Sequence, residues 1–207
     1  ADIADLDNLE KSNFNRNFIR KKFGWDDRFV VLYSGSMSAV YDFDIVLEAA
    51  KMLENESTLF VFLGDGRQKQ ATREKARREK IKNVQFLEPV GKNELPGIIG
   101  AADVCIASLK KEVRLLKYVY VSKIFDYMAA GKPIVLAMEG VSADLVCGKA
   151  DVGICVLPGD KENFKKAIFD LYRDTGLRQK FGESGFAYIA KNFNPEKLAE
   201  EYLAVIK

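Results

Sequence analysis

The chain has 207 residues, 48% hydrophobic and 30% charged, with 32 Lys+Arg against 30 Asp+Glu and a net charge of +2. That is apolar material for one large domain core, and too little net charge for a general argument toward nucleic acid or an anionic membrane surface. No apolar stretch approaches the roughly 18 residues of a bilayer span, the acidic start Ala1-Asp2-Ile3-Ala4-Asp5 is not expected to be a signal peptide, and the absence of His excludes Ser-His-Asp and Cys-His devices and HExxH zinc sites.

In chain order, residues 1–25 are polar, with one possible helix, Asn13 to Phe23, stopped by Gly24. They read as a linker or flanking arm ahead of a single domain at 26–207. Phe29 to Tyr33 is a short apolar run ending in Ser34-Gly35-Ser36, after which Phe43, Val46, Leu47, Ala50 and Leu53 share one helical face. Thr58 to Leu63 predicts a second strand, closed by Gly64-Asp65-Gly66, and Arg67 to Lys80 a very polar helix. Val84 to Leu87 predicts a third strand. Leu95, Ile98, Ile99 and Ala102 predict a helix with Asn93 at its N-cap and Pro96 in its first turn.

Asp103 to Ala107, Pro133 to Ala137 and Val152 to Val156 predict three more strands, and Ile124 to Ala130 a helix closed by Gly131. Asp160 caps a helix with Phe164, Ala167, Ile168 and Leu171 inward, Arg178 to Asn192 is a further helical stretch, and Asn194-Pro195 starts a last helix. Strands alternating with helices define an α/β class: a Rossmann-like, doubly wound parallel sheet of about six strands, with ligands expected at the carboxyl ends of the strands. The loops there are Ser34 to Tyr41, Gly64 to Arg67, Glu88 to Gly91, Ser108 to Lys123 and Met138 to Asp144. Cys105, Cys147 and Cys155 are spaced too widely for a CxxC pair, so reduced thiols in a reducing compartment are expected.

Gly35 and Gly64 could serve plain turns or let backbone approach a phosphate, but the GxGxxG of dinucleotide enzymes is absent. Asp42-Phe43-Asp44 spells DxD at a helix start, where carboxylates suit the helix dipole, and no metal or other cofactor is expected. The basic stripe from Arg67 to Lys80 lacks interleaved aromatics and reads as a solvated outer helix. Lys110 to Pro133 is the segment richest in candidate chemistry. A basic loop runs into Val121-Ser122-Lys123, where a helix start offers free N–H groups and partial positive charge beside Lys123, and Asp126 follows about one turn on.

The run Val121-Ser122-Lys123-Ile124-Phe125-Asp126-Tyr127-Met128-Ala129-Ala130-Gly131-Lys132-Pro133-Ile134-Val135 resembles the donor-site segment of group 1 (family 4) retaining glycosyltransferases of GT-B fold. Val31 to Gly35, Leu47 to Ala50, Phe62 to Gly66, Asn83 to Leu87, Ala101 to Val104, Leu157 to Asp160 and Phe193 match in order. The resemblance implies the C-terminal, nucleotide-sugar-binding half of a two-domain enzyme, with an N-terminal acceptor domain absent from this chain. It implies a leaving diphosphate held near Gly35, Ser36, Gly64, Ser122 and Lys123, and ribose at Asp126. The base edge would meet the backbone near Val90, the donor sugar would lie beside Glu139 and Gly140, and Tyr118 would be a further donor-binding position.

The pattern departs from the family at three places. Ser36 stands where the family usually has Arg, Tyr41-Asp42 where it has Lys-Gly, and the two glutamates spaced eight apart fall on Tyr118 and Asp126. Lys123 could replace the lost cations. Variants with Ser-Lys before the helix resemble transferases of surface-polysaccharide assembly. A cytoplasmic location, no nucleic-acid partner and peripheral membrane association only through the acceptor are expected. A non-catalytic nucleotide-sugar-binding module is the alternative, and a GT-B epimerase a third.

Overall fold

The computed structural model describes residues 16–193. The expectations for residues 1–15 and for the helix from Asn194-Pro195 lie outside the described residues.

Six apolar runs form six parallel strands: β1 (Phe29–Ser34), β2 (Thr58–Leu63), β3 (Val84–Leu87), β4 (Val104–Ser108), β5 (Ile134–Ala137) and β6 (Gly153–Val156). Their order is β3-β2-β1-β4-β5-β6. β1, β2, β4 and β5 are buried along their whole length, which is why they read as continuous apolar runs and not as alternating ones. The chain reverses its winding direction between β1 and β4, so the crevice of a doubly wound sheet opens at the carboxyl ends of those two strands.

Helices cover both faces. α1 (Arg16–Phe23), α2 (Phe43–Met52), α3 (Lys69–Arg78), α4 (Leu95–Ala101), α5 (Lys123–Ala129), α6 (Lys161–Arg173) and α7 (Thr175–Asn192) follow in chain order. One core packs Trp25, Ile98, Ile99, Ile124, Tyr127, Met128 and Ile189 against the sheet. The other packs Phe43, Val46, Leu47, Phe164, Ile168, Leu171 and Phe181. Asp160 caps α6 by accepting the Asn163 N–H at 3.1 Å, as its sequence position predicts.

α1 is stitched to the sheet's amino end. Arg20 is buried and donates to the carbonyls of Ala101 and Asp26 and to Asp103, while Arg16 pairs with Asp103 at 2.6 Å. α4 begins one residue later than expected, with Glu94 at the N-cap and no side-chain cap bond.

Two elements differ from the sequence expectation. The loop after β5 continues as a short helical turn, Val141–Ala143, and then a π-helix, Asp144–Lys149. That wide turn brings Cys147 back to β6, and Cys147 and Cys155 are joined in a disulfide with their Cα atoms 6.2 Å apart. The expectation of reduced thiols is corrected for these two. Sequence spacing did not reveal the pairing because the π-helix, absent from the apolar pattern, folds the eight-residue separation back on itself. Cys105 is a free, buried thiol, and desolvation raises its pKa.

Candidate functional site

The site is built where β1 and β4 end. Gly35 follows β1 with φ 115°, and Gly64 follows β2 with φ 140°. A Cβ on Gly64 would lie 2.0 Å from the Gly35 carbonyl oxygen, so the two loops touch backbone to backbone and both glycines are required. The Gly35 N–H donates to Leu63 O at 2.9 Å, and the Met37 N–H to Asp65 O at 2.7 Å. Those amides hold the loops together and are not left over for a ligand.

α5 is anchored to the sheet by Tyr127. The Ser34 N–H donates to the Tyr127 hydroxyl at 2.9 Å, and that hydroxyl lies 3.5 Å from Ile106 O. Lys123 is four residues before Tyr127 and shares its helix face. Once Tyr127 is fixed under the end of β1, Lys123 is carried over the next residues, the glycine loop. A Cβ on Gly35 would meet Lys123 Nζ at 3.4 Å.

Lys123 is buried, at 6% exposure, and its Nζ has no hydrogen-bond partner among the described residues. The Nζ lies 3.7 Å from the Tyr33 ring centroid and 4.1 Å from that of Tyr41. Burial pushes its pKa down to about 7, and the Asp126 carboxylate opposes that shift. Desolvation raises the pKa of Tyr33 and of Tyr41, so both phenols stay neutral. An ammonium in this place is enclosed by the two rings and the Gly35 backbone and is short of acceptors, which suits an anion as its missing partner.

The other predicted residues stand on the loops after β1, β3, β4 and β5 and on α5. Ser36 gives its carbonyl to the Tyr33 hydroxyl at 2.5 Å. Ser122 is exposed with helical φ −52° and ψ −37°, and its side chain makes no cap bond. The Ile124 and Phe125 N–H groups donate to Val121 O and Ser122 O. The free helix-end amides expected there are thus partly used, and Lys123 carries the positive charge. Asp126 is half-buried one turn along α5. Val90 is half-buried after β3, packed against the core.

The loop after β4 forms a 3-10 turn, Arg114–Tyr118, and leaves Tyr118 largely exposed. Lys117 pairs with Glu139 at 2.9 Å. Gly140, at φ 85°, lies so close to Lys117 that a Cβ would sit 2.1 Å from its carbonyl oxygen. Ser142 links the two loops: it accepts the Val121 N–H at 3.1 Å and donates to Val119 O at 3.3 Å.

The DxD segment is a helix start. Asp42 accepts the N–H groups of Asp44 and Ile45, and Asp44 pairs with Lys75 at 2.7 Å. On the basic helix, Lys69 is buried against Glu88 at 2.8 Å, and Lys75 pairs with Asp44 and Glu79. Among the described residues no group of three or more Cys, Asp or Glu comes together as a metal site, and no helix is long and apolar enough to cross a membrane. Tyr33, Tyr127 and Ser142 lie in the candidate site and were not singled out in the sequence, whereas Tyr41 was noted there only as a departure from the family pattern. The four-residue spacing of Lys123 and Tyr127 is a signal that could have found Tyr127, and nothing local points to Tyr33 or Ser142.

A six-stranded parallel sheet with its switch point between β1 and β4 defines a doubly wound, Rossmann-like α/β domain. Residues 15–188 match the family described as glycosyl transferases group 1, and the chain belongs to that family. Its fold is the GT-B type. Among curated relatives it is 23% identical over 184 residues to WcaI of Escherichia coli (strain K12), named for colanic acid biosynthesis glycosyl transfer, covering 88% of this chain and 44% of that protein. It is 24% identical over 148 residues to the glycosyltransferase WbjE of Pseudomonas aeruginosa, covering 71% and 36%. The chain thus spans less than half the length of these relatives. Among solved structures it is similar in fold to Anabaena Alr3699/HepE in complex with UDP, with TM-score 0.80, 18% identity and coverage of 94% and 53%. It is likewise similar to a glycosyltransferase from Rickettsia africae, with TM-score 0.80, 14% identity and coverage of 98% and 54%.

Proposed function

We propose that this domain is the donor-binding half of a retaining glycosyltransferase that moves a sugar from a nucleotide sugar to an acceptor held by a second domain. The observation that carries the reading is the buried, unpartnered Lys123 ammonium beside Gly35 in the switch-point crevice. Departure of the sugar leaves negative charge on the nucleoside diphosphate. A fixed cation in a poorly solvated place stabilises that charge more in the transition state than in the bound donor. In this reading Lys123 meets the diphosphate, Asp126 the ribose, and the Lys117–Glu139 pair with Gly140 the donor sugar. Similarity to HepE, solved with UDP and with UDP-glucose, supports a nucleotide-sugar donor.

A role in surface-polysaccharide assembly is supported by the colanic acid assignment in the name of WcaI. The proposed site of action is the cytoplasm, with membrane association only through the acceptor. The exposed Tyr118, where the family pattern has its first glutamate, favours a second reading, a nucleotide-sugar-binding module that transfers nothing.

The test pairs calorimetry with UDP-, GDP- and ADP-glucose against product detection by mass spectrometry, on the 207-residue chain and on a version with the second domain. Catalysis needs donor and acceptor in near-attack geometry and a closed cleft. The expected result is weak binding without transfer by this chain, and transfer by the two-domain protein. Robust turnover by this chain alone overturns the half-enzyme reading. Binding without turnover by the two-domain protein establishes the second reading. Binding of none of the three sinks both.

A further inference from the structure

Lys123 does not stand in the crevice as a free side chain. Tyr33 projects from the end of β1 and Tyr41 from the loop before α2, and their rings meet edge to face at 72° with centroids 5.6 Å apart. The ammonium lies in the corner between them, with the Gly35 backbone on a third side. Both rings are held from behind. The Tyr33 hydroxyl donates to Ser36 O. Tyr41 forms an isolated antiparallel bridge with Leu109, the Lys110 N–H donates to Val40 O at 3.0 Å, and the Asp42 N–H to Ser108 O at 3.0 Å. The loop carrying Tyr41 is therefore clamped to the end of β4.

We propose that Tyr33 and Tyr41 are positioning residues for Lys123, an aromatic slot that presents its ammonium to the diphosphate of the donor. The inference rests on the donor-site reading above. A ring face attracts a cation but accepts no conventional hydrogen bond. The slot thus stabilises the charged form without satisfying its three N–H donors, and an arriving anion is the partner that does. A carboxylate in the same place would compete with the diphosphate. Two neutral rings do not.

The charged and titratable groups facing the Lys123 ammonium are Asp126 on its own helix, Tyr33 on β1 and Tyr41 in the loop before α2. With the Lys123 pKa lowered to about 7 by burial, the ring faces weigh directly on how much ammonium is present near neutral pH. Nucleotide-sugar phosphates are diesters and do not titrate there, so the difference between the wild-type profile and that of Lys123→Ala, in which Lys132 is unchanged, reads Lys123.

The experiment measures binding by calorimetry from pH 6 to 9 for the wild type, Lys123→Ala, Tyr41→Phe and Tyr41→Leu. The probe is whichever of UDP-, GDP- and ADP-glucose binds the wild type most tightly, and each fold is checked by thermal unfolding. Tyr41→Phe keeps the ring and retains the wild-type affinity and pH midpoint. Tyr41→Leu keeps the slot dry but removes the ring face. It weakens binding at pH 7.5 about tenfold and moves the midpoint down, a shift that loss of packing alone does not produce. If Lys123→Ala loses binding while Tyr41→Leu keeps both affinity and midpoint, the positioning role is overturned and the donor site stands. The same follows if Tyr41→Phe loses as much as Tyr41→Leu. If Lys123→Ala binds like the wild type, the placement of Lys123 at the diphosphate fails, and the slot with it.

Discussion

The Tyr127 hydroxyl accepts the Ser34 N–H at 2.9 Å, which ties the middle of α5 to the last residue of β1. Through this bond the helix carrying Lys123 is placed relative to the glycine loop. Tyr127→Phe leaves a buried backbone donor without its acceptor, which costs about 1–3 kcal/mol. Denaturant unfolding should show that loss, and donor affinity should fall with it because α5 is freer to shift. Unchanged stability would mean that Ser34 has another acceptor.

Lys123 should oppose folding at neutral pH. Its pKa is about 7 in the folded protein against an ordinary 10.5, so between those values the unfolded chain holds a proton that the folded one has released. Stability therefore rises with pH across that window as far as Lys123 contributes. Lys123→Met removes the buried charge, so its melting temperature should exceed that of the wild type at pH 6 to 7, with the gain shrinking toward pH 10. Lys132, also lowered to about 8 by burial, is present in both proteins and cancels in the comparison. A gain that does not change with pH would show that Lys123 titrates normally.

The same residue should matter for binding in the opposite direction. A charge-assisted hydrogen bond to phosphate is worth roughly 1.5–3 kcal/mol, so Lys123→Ala should weaken nucleotide-sugar binding about tenfold or more by calorimetry. EDTA should leave the wild-type affinity unchanged. Loss of binding in EDTA, restored by magnesium or manganese, would reopen Asp42 and Asp44 as metal ligands.

Gly64→Ala should cost roughly 2–4 kcal/mol, from an unfavourable backbone angle and an overpacked contact. Its Cβ would press on the Gly35 carbonyl at φ 140°. Donor affinity should fall as well, because the displaced loop is the floor under Lys123. Gly91→Ala is the control: a Cβ there meets nothing within 4 Å, and the change should stay within about 0.5 kcal/mol.

The Cys147–Cys155 bond closes a short loop and should be worth about 2–3 kcal/mol by restricting the unfolded chain. Replacing both cysteines by serine should lower the melting temperature by roughly 4–12 °C. Added thiol reductant should lower the wild type by a similar amount and leave the double variant unmoved. Equal melting with and without reductant in the wild type would show that the bond contributes nothing.

The order of strands and helices was legible in the sequence because it is carried by local pattern. Buried parallel strands are continuous apolar runs, and the faces of α2 and α6 repeat at helical spacing. Asp42 and Asp160 announced their helices because an N-cap acts within three residues of itself. Lys123 stood out through its neighbours in the chain, and Gly35 and Gly64 through their places after strands. Tertiary structure alone decided what those groups do together. Tyr33 and Tyr41 became the slot for Lys123 only when β1 and α5 were laid side by side across the switch point. Ser142 became a clamp on the loop before α5 only through the short helical turn after β5, which runs on into a π-helical segment. That segment also brought Cys147 to Cys155. Periodicity reports which face of an element is buried, but contacts between residues distant in the chain depend on register and crossing geometry, which no local pattern contains.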